Sequence, residues 1–402
     1  EMQRSLVGSE MCIRDSCITS DGYPSEGLPY SSFIQVLARE LTRQGCEVTV
    51  IAPQSLTNHF IRGGKMAPKK FCDEFYVNGI LKKITIYRPY SITCGEGVLG
   101  KLTFQINRLA TEFAVFKNRL KPDIYYSHFW ANGFNIERTA RKTNIPLFVA
   151  SGEDKINICR FLSKKEVQIL NQGVAGVICV STKNMDESVG LGLTEYPQCI
   201  VLPNAFDPEE FYHIDRNKAR KKMGFPTDVF IIAFCGRFNN RKGALRVSDA
   251  IKKINNPNIK SIFVGTVADN ETEKPDCEGI LFMDGLPHHE IVYYLNCADV
   301  FVLPSLAEGC PNSVIEAMAC GLPIISSNLP FNFDILSKEV AILINPRDVD
   351  EIANAIKKIY EDKTLRHKLS KGSLLKSQSL TIQNRVANIL KFINNYGKKK
   401  LL

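Results

Sequence analysis

The stretch 301–327, FVLPSLAEGCPNSVIEAMACGLPIISS, decides the fold. An apolar run ending at Pro304 reads as a strand buried on both faces. A loop then presents Glu308 and Gly309. A helix begins near Asn312, with Pro311 and Ser313 suited to its first turn. The run PIISS follows as a second strand. Strand, helix, strand is a crossover between parallel strands.

The same alternation continues on both sides. Before it come VFIIAFC (229–235), a helix over 243–254, the strands SIFVG and ILFMDG, and a helix over 288–296; after it come AILI and a helix over 348–360. A separate array fills the first half. It starts with CITS at Cys17 and a helix from about Ser31, with Phe33, Val36, Leu37 and Leu41 on one face and Gly45 at its end. EVTVIA follows. The segment 101–120 reads as a strong helix with Leu102, Ile106, Leu109, Phe113, Phe116 and Leu120 on one stripe, stopped by Pro122. DIYYSH, a helix near 133–143, PLFVAS, a helix near 163–171, GVICVS and CIVLP complete the array. Residues 53–100 mix strand-like pieces such as ITIYRP with loops rich in Gly and Lys. The expected fold class is therefore α/β, with two doubly wound Rossmann-like domains joined near 206–224 and ligands in an interdomain cleft at the carboxyl ends of the strands. The expected boundaries are 17–206 and 207–385, with 386–402 a helix and basic tail that packs back on the first domain.

Length and composition agree with two ordinary domains: 402 residues, 44% apolar and 23% charged. Residues 6–16, LVGSEMCIRDS, resemble the translation of a transposase-type sequencing adapter and lack the apolar core of a signal peptide. Residues 1–16 are accordingly set aside as a non-native leader, and the native chain is expected to start at or just before Cys17; a genuine disordered N-terminus is the alternative. The 13 cysteines form no C-x-x-C pair and no metal-spaced cluster. They read as free thiols of a reducing cytoplasm. The net charge of +9 lies mostly before Asn204, with a short Lys398–Lys400 tail. A solvated basic face and attraction to an anionic inner membrane leaflet both fit it. No basic stripe interleaved with aromatics is present, which argues against nucleic acid, and no apolar run is long enough to span a bilayer.

Three clusters carry chemistry. Glu308 and Glu316 stand eight residues apart, one in a loop and one on a helix, so both can face one ligand; a surface acid and a local helix pair would look the same. The helix start beside them offers free amides and a favourable dipole to phosphate. In AFCGRFNNRKG (233–243), Gly236 permits a tight turn after a strand, and Arg237 and Lys242 fit a diphosphate as well as they fit a solvated loop. In YYSHFWANGF (125–134), His128 ends a strand beside the only tryptophan.

The stretch 301–327 resembles the E-x7-E signature of family four glycosyltransferases, with P-S-x-x-E-G and E-A-M-A-C-G-x-P around it. The stretch 236–243 resembles that family's G-R-x-x-x-x-K-G loop; Arg241 precedes Lys242, and Lys242 is taken as the match because Gly243 follows it. H-x-W-x-x-G at 128–133 is similar to a stretch of some members. Weaker likenesses are S-E-G-L-P-Y at 25–30, with Glu26-Gly27 for a glycine pair, RQGCEVTVIAP at 43–53, with Cys46 for a histidine, and VLPNAFDPEEF at 201–211, with Ala205 for a glycine.

The resemblance implies the GT-B fold and sugar transfer from a nucleoside-diphosphate sugar of UDP or GDP type. It implies retention at the anomeric carbon, with the leaving phosphate as base, and no metal or other cofactor. It implies that Glu316 binds the ribose hydroxyls and Glu308 the donor sugar. Asn312 and Ser313 amides, Arg237 and Lys242 would hold the diphosphate, and His128 would contact the transferred sugar or acceptor. The expected catalytic set is His128, Arg237, Lys242 and Glu308. The donor-binding set adds Gly27, Gly236, Gly309, Cys310, Pro311, Asn312, Ser313 and Glu316. The acceptor class is a glycan or lipid-linked glycan of bacterial surface polysaccharide synthesis. A sugar-nucleotide 2-epimerase of the same fold and a non-catalytic sugar-nucleotide-binding subunit are the rival readings.

Overall fold

Apolar strand centres alternating with amphipathic helices build two separate parallel sheets. The computed structural model describes residues 15–25, 31–62, 65–94, 99–267 and 274–399. The chain divides into one unit of Glu1–Leu202 with Val386–Leu402 and another of Pro203–Arg385.

The first unit holds β1 (Asp15–Thr19), α1 (Ser32–Arg43), β2 (Glu47–Ile51), β3 (Gln54–Ser55), α2 (Leu56–Arg62), β4 (Lys70–Val77), β5 (Ile80–Tyr87), β6 (Tyr90–Ser91) and α3 (Gly100–Lys117). It continues with β7 (Ile124–His128), α4 (Trp130–Thr143), β8 (Leu147–Ser151), α5 (Lys164–Gly173), β9 (Val174–Cys179), α6 (Thr182–Gly190) and β10 (Cys199–Val201). The main sheet runs β10-β9-β8-β7-β1-β2-β5-β4. Its pairs are parallel except β4–β5 at one edge. The order reverses between β1 and β7, which makes their carboxyl ends the crevice of this sheet.

Three details differ from the sequence expectation. β1 starts at Asp15, because Asp15 pairs with Glu47 and Ser16 with Val48 and Ile124. Two residues assigned to the leader thus lie in the sheet. The buried face of α1 is Ile34, Leu37, Ala38 and Leu41, and Phe33 turns outward. Four of the six stripe residues face solvent: Leu102, Leu109, Phe113 and Phe116 of α3 are exposed, whereas Ile106 is half-buried, Leu120 packs on the core, and Thr111, Ala114 and Val115 are buried. The reason is α4. Arg108 of α3 lies over the Phe134 ring at 3.6 Å, and Arg138 of α4 pairs with Glu112, so the side of α3 that packs combines these polar residues with Phe104, Ala114 and Val115. Within 53–100, the strand-like ITIY ends β5 of the β4–β5 hairpin, which Asn78 and Gly79 close at φ 50° and 78°.

The second unit holds α7 (Arg216–Met223), β11 (Phe230–Cys235), α8 (Ala244–Ile254), β12 (Ile259–Val264), β13 (Ile280–Asp284), α9 (Ile291–Asn296), β14 (Val300–Leu303) and α10 (Asn312–Ala319). It ends with β15 (Ile324–Ser327), β16 (Ala341–Ile344), α11 (Val349–Glu361) and α12 (Lys363–Ser377). Its sheet runs β13-β12-β11-β14-β15-β16, all parallel. The order reverses between β11 and β14. Below β11 a buried ion pair anchors the sheet. Arg220 donates to Asp299 at 2.6 Å, and the same carboxylate accepts the Ile231 amide at 2.8 Å. Arg216 also pairs with Asp299, so removing Asp299 would strand the buried Arg220, whereas removing Arg220 would leave Asp299 with one cation.

The last helix, α13 (Ile382–Lys399), begins in the second unit, and its residues from Val386 count with the first. Phe392 and Tyr396 meet the Phe148 ring at 6.2 and 6.0 Å, and a Cβ on Gly176 would sit 2.9 Å from Phe392, so a glycine in β9 leaves room for the ring. No described cysteine is in a disulfide; eight are buried and Cys72 is exposed. No helix among the described residues is long and apolar enough to cross a membrane.

Candidate functional site

At the reversal point of the second sheet, two loops meet. One follows β11 and carries Gly236 to Gly243; the other follows β14 and carries Pro304 to Pro311. Gly236 sits at φ 154°, a left-handed value that favours glycine. Gly243 sits at φ 84°, and a Cβ there would lie 2.9 Å from the Pro304 carbonyl oxygen. The loops are stitched by backbone: the Leu306 amide donates to the Arg241 carbonyl at 2.8 Å.

Glu308 is the centre of this junction and only 7% exposed. Lys242 Nζ lies 2.6 Å from Oε1, Arg241 donates to Oε2 at 3.1 Å, and the Ser305 hydroxyl donates to Oε1 at 2.7 Å. A buried carboxylate needs such partners. Arg237 is exposed and has no hydrogen bond or ion pair among the described residues. Two cations thus hold one carboxylate, and Arg237 adds a third positive charge on the same loop. The surplus of two positive charges is what a diphosphate requires.

α10 begins beside them. Pro311 supplies no side-chain cap, and Val314 is the first residue whose amide returns to Pro311. The Asn312 and Ser313 amides therefore lack intrahelical acceptors. Asn204 fixes the approach, donating to the Cys310 carbonyl at 3.1 Å and the Asn312 side-chain oxygen at 2.7 Å. Gly309, Cys310 and Pro311 are buried. Burial pushes the Cys310 thiol up to about 12, which makes it a packing residue rather than a nucleophile.

Glu316 sits further along α10 and is 8% exposed. His288 reaches it from the turn ahead of α9: Nε2 lies 3.1 Å from Glu316 Oε1, and Nδ1 lies 3.0 Å from Glu210 Oε2. Burial lowers the His288 pKa, but the two carboxylates outweigh it and hold the value at about 10.

In the first unit, His128 ends β7 at that sheet's own reversal point. Phe33 meets its ring edge-on at 4.7 Å and Phe129 stacks on it at 4.2 Å. Phe129 has φ 76° and ψ 154°, a combination that a side chain rarely tolerates and that costs of order 1–3 kcal/mol. Glu153 holds this turn by accepting the Trp130 amide at 2.8 Å. Burial pushes its carboxyl up to about 7, against the pull of the amides it accepts from. Asn132 donates both to Asp21 in the loop after β1 and to the His128 carbonyl, each at 2.8 Å. Gly27 lies outside the described residues.

Residues 215–374 match the family model described as glycosyl transferases group 1. This segment is a group 1 glycosyltransferase domain. TuaC of Bacillus subtilis, named for teichuronic acid biosynthesis, is 28% identical over 345 residues, covering 83% of this chain and 86% of its own. The UDP-Gal:alpha-D-GlcNAc-diphosphoundecaprenol alpha-1,3-galactosyltransferase of Escherichia coli is 27% identical over 266 residues, covering 61% of this chain and 68% of its own. Among solved structures, sucrose-phosphate synthase from Thermosynechococcus elongatus has a TM-score of 0.75 at 17% identity, covering 96% of this chain and 100% of that one. The fold is GT-B, with two Rossmann-like sheets.

Within the group 1 domain, Gly236, Lys242, Glu308, Gly309 and the start of α10 lie around one loop junction. Sequence spacing did not reveal three partners. Arg241 was set aside in favour of its neighbour, yet both cations hold Glu308. His288 and Glu210 carry no family word; the available signal was that GLPHHE follows the carboxyl end of a strand. In the first unit, Glu153 was likewise unmarked.

Proposed function

We propose that this chain is a retaining, metal-independent glycosyltransferase that moves a sugar from a UDP or GDP sugar to a glycan or lipid-linked acceptor in bacterial surface polysaccharide synthesis. The observation that carries the reading is the Glu308 junction. It gathers Arg241 and Lys242 at the carboxyl edge of a parallel sheet, beside Arg237 and the open amides of α10. In this reading the cations and amides neutralise the leaving diphosphate, so the protein supplies the charge a metal would otherwise bring. Glu308 faces the donor sugar, Glu316 takes the ribose hydroxyls, and His128 serves the transferred sugar or acceptor. TuaC and the Escherichia coli galactosyltransferase support the pathway class by what their names state. The same reading sets the exposed apolar stripe of α3 against the anionic inner face of the membrane, in a reducing cytoplasm.

Calorimetry with UDP, GDP and their sugar conjugates, in EDTA, tests it. Binding by the full chain is expected to be lost in Glu316→Ala, and Lys242→Ala is expected to lower turnover about 10²–10³-fold. A folded chain that binds no nucleotide overturns transfer. Activity that disappears in EDTA overturns metal independence, and an inverted anomeric carbon in the product, read by NMR, overturns retention.

A further inference from the structure

His288 is placed to govern Glu316. Its two ring nitrogens lie 3.0 and 3.1 Å from carboxylate oxygens of Glu210 and Glu316. A neutral imidazole has one donor and one lone pair, and the lone pair would face a carboxylate across hydrogen-bond distance. Only the doubly protonated ring satisfies both neighbours. The Phe211 ring meets the imidazole edge-on at 5.0 Å and limits its tilt. The result is a fixed row of carboxylate, imidazolium and carboxylate spanning three separate stretches of the second unit.

The row has an asymmetric end. Glu316 gives Oε1 to His288, and its Oε2 has no hydrogen-bond partner among the described residues. Glu316 is nearly buried, whereas Glu210 on the far side is about one-third exposed. A carboxylate on a helix rotates about its terminal bond unless one oxygen is tied. Here one oxygen is tied to a cation and the other is left to accept.

We propose that His288 is the positioning residue that aims Glu316 at the nucleotide ribose, making the site selective for a nucleotide with intact 2′ and 3′ hydroxyls. This rests on Glu316 being the ribose carboxylate. With Oε1 held, Oε2 is presented to a vicinal diol, which can donate two hydrogen bonds to a single carboxylate. Glu210 anchors the far side of the ring and keeps Nε2 aimed at Glu316. Selectivity follows because a site built to accept from hydroxyls leaves a buried carboxylate unpaired when they are missing.

The test is calorimetry on the full chain with UDP, GDP and the 2′,3′-dideoxy form of each. Wild type is expected to prefer the ribose form at least tenfold. His288→Ala should weaken the ribose form about tenfold and leave the dideoxy form unchanged, so that the ratio falls towards one. His288→Gln, which restores a donor towards Glu316 alone, should recover part of the preference. Glu210→Gln alters a more exposed side chain and should give an intermediate ratio, which carries the test if His288→Ala does not fold. A wild-type ratio that persists in His288→Ala, or in Glu210→Gln where that variant carries the test, overturns the positioning role while leaving Glu316 in place. A wild type that binds the ribose and dideoxy forms equally overturns Glu316 as the ribose carboxylate, and the inference with it.

Discussion

Glu153 shows how a single side chain can be kept away from its ordinary charge state. Its carboxyl accepts the Trp130 and Gly152 amides, yet burial pushes it from 4.5 to about 7. The folded chain therefore binds this proton more tightly than the unfolded chain. Between 4.5 and about 7 the unfolded state has released the proton while the folded state retains it, so stability falls as pH rises. Below that window both states are protonated and nothing is lost. Above it both are ionised and the loss is complete, at most about 3 kcal/mol. Glu153→Gln removes the titration but keeps an acceptor for the Trp130 amide. Urea unfolding at pH 5 and pH 8 should show wild type losing stability relative to Glu153→Gln as pH rises. Parallel behaviour of the two proteins would show that Glu153 titrates normally. The same residue props up the strained Phe129, so Phe129→Gly should relieve backbone strain while removing the ring that stacks on His128.

At the scale of elements, α3 is the anomaly. Its packed side includes Arg108 and Glu112, and Leu102, Leu109, Phe113 and Phe116 point to solvent, with Phe116 82% exposed. Nearby α2 exposes Phe60 and Ile61, and the two helices flank one strand end. Thr57 accepts from the Thr93 amide and Thr103 from the Cys94 amide. Residues 54–72 carry Arg62, Lys65, Lys69 and Lys70 and no acid, and Lys117 of α3 lies over the Phe113 ring at 5.8 Å. Apolar side chains among cations suit an anionic bilayer surface, which rewards both. Flotation with vesicles containing phosphatidylglycerol should recover wild type, and Phe113→Ser with Phe116→Ser should recover several-fold less. Equal recovery of both, or a concentration-dependent dimer that the double variant abolishes, would assign the stripe to another role. This helix also marks the limit of reading from sequence. Periodicity located α3 because the spacing of Leu102 to Phe116 is helical, but spacing does not say which side a neighbour covers. The parallel strands were legible because most carry an apolar, buried centre. The β4–β5 hairpin carried an Asn-Gly signal at 78–79 that the surrounding lysines and glycines masked. His288, Glu210 and Glu316 are far apart in the chain, and no local pattern links them.

For the whole molecule, the two units carry different parts of the proposed chemistry, and this has a measurable consequence. Apart from Gly27, which lies outside the described residues, the groups assigned to the nucleotide belong to the second unit: the loop after β11, the loop after β14, α10 and the His288 turn. The first unit contributes His128, assigned to sugar or acceptor. A nucleotide without sugar should therefore stabilise the second unit selectively. Binding to the folded state alone adds about 2.7 kcal/mol at a ligand concentration one hundred times Kd. In amide hydrogen exchange, which resolves local from global opening, UDP or GDP should slow exchange in 230–243 and 300–319 by up to about a hundredfold where opening exposes the site. Exchange in β1, β2 and β7 should stay as in the free chain. The Lys242→Ala chain should lose most of that protection at equal nucleotide concentration. Equal protection across both sheets would mean that the nucleotide is held by groups of both units, and the assignment of the diphosphate to Arg237, Lys242 and the α10 amides would be wrong. Protection confined to the second unit would place donor recognition there and leave acceptor choice to the residues around His128.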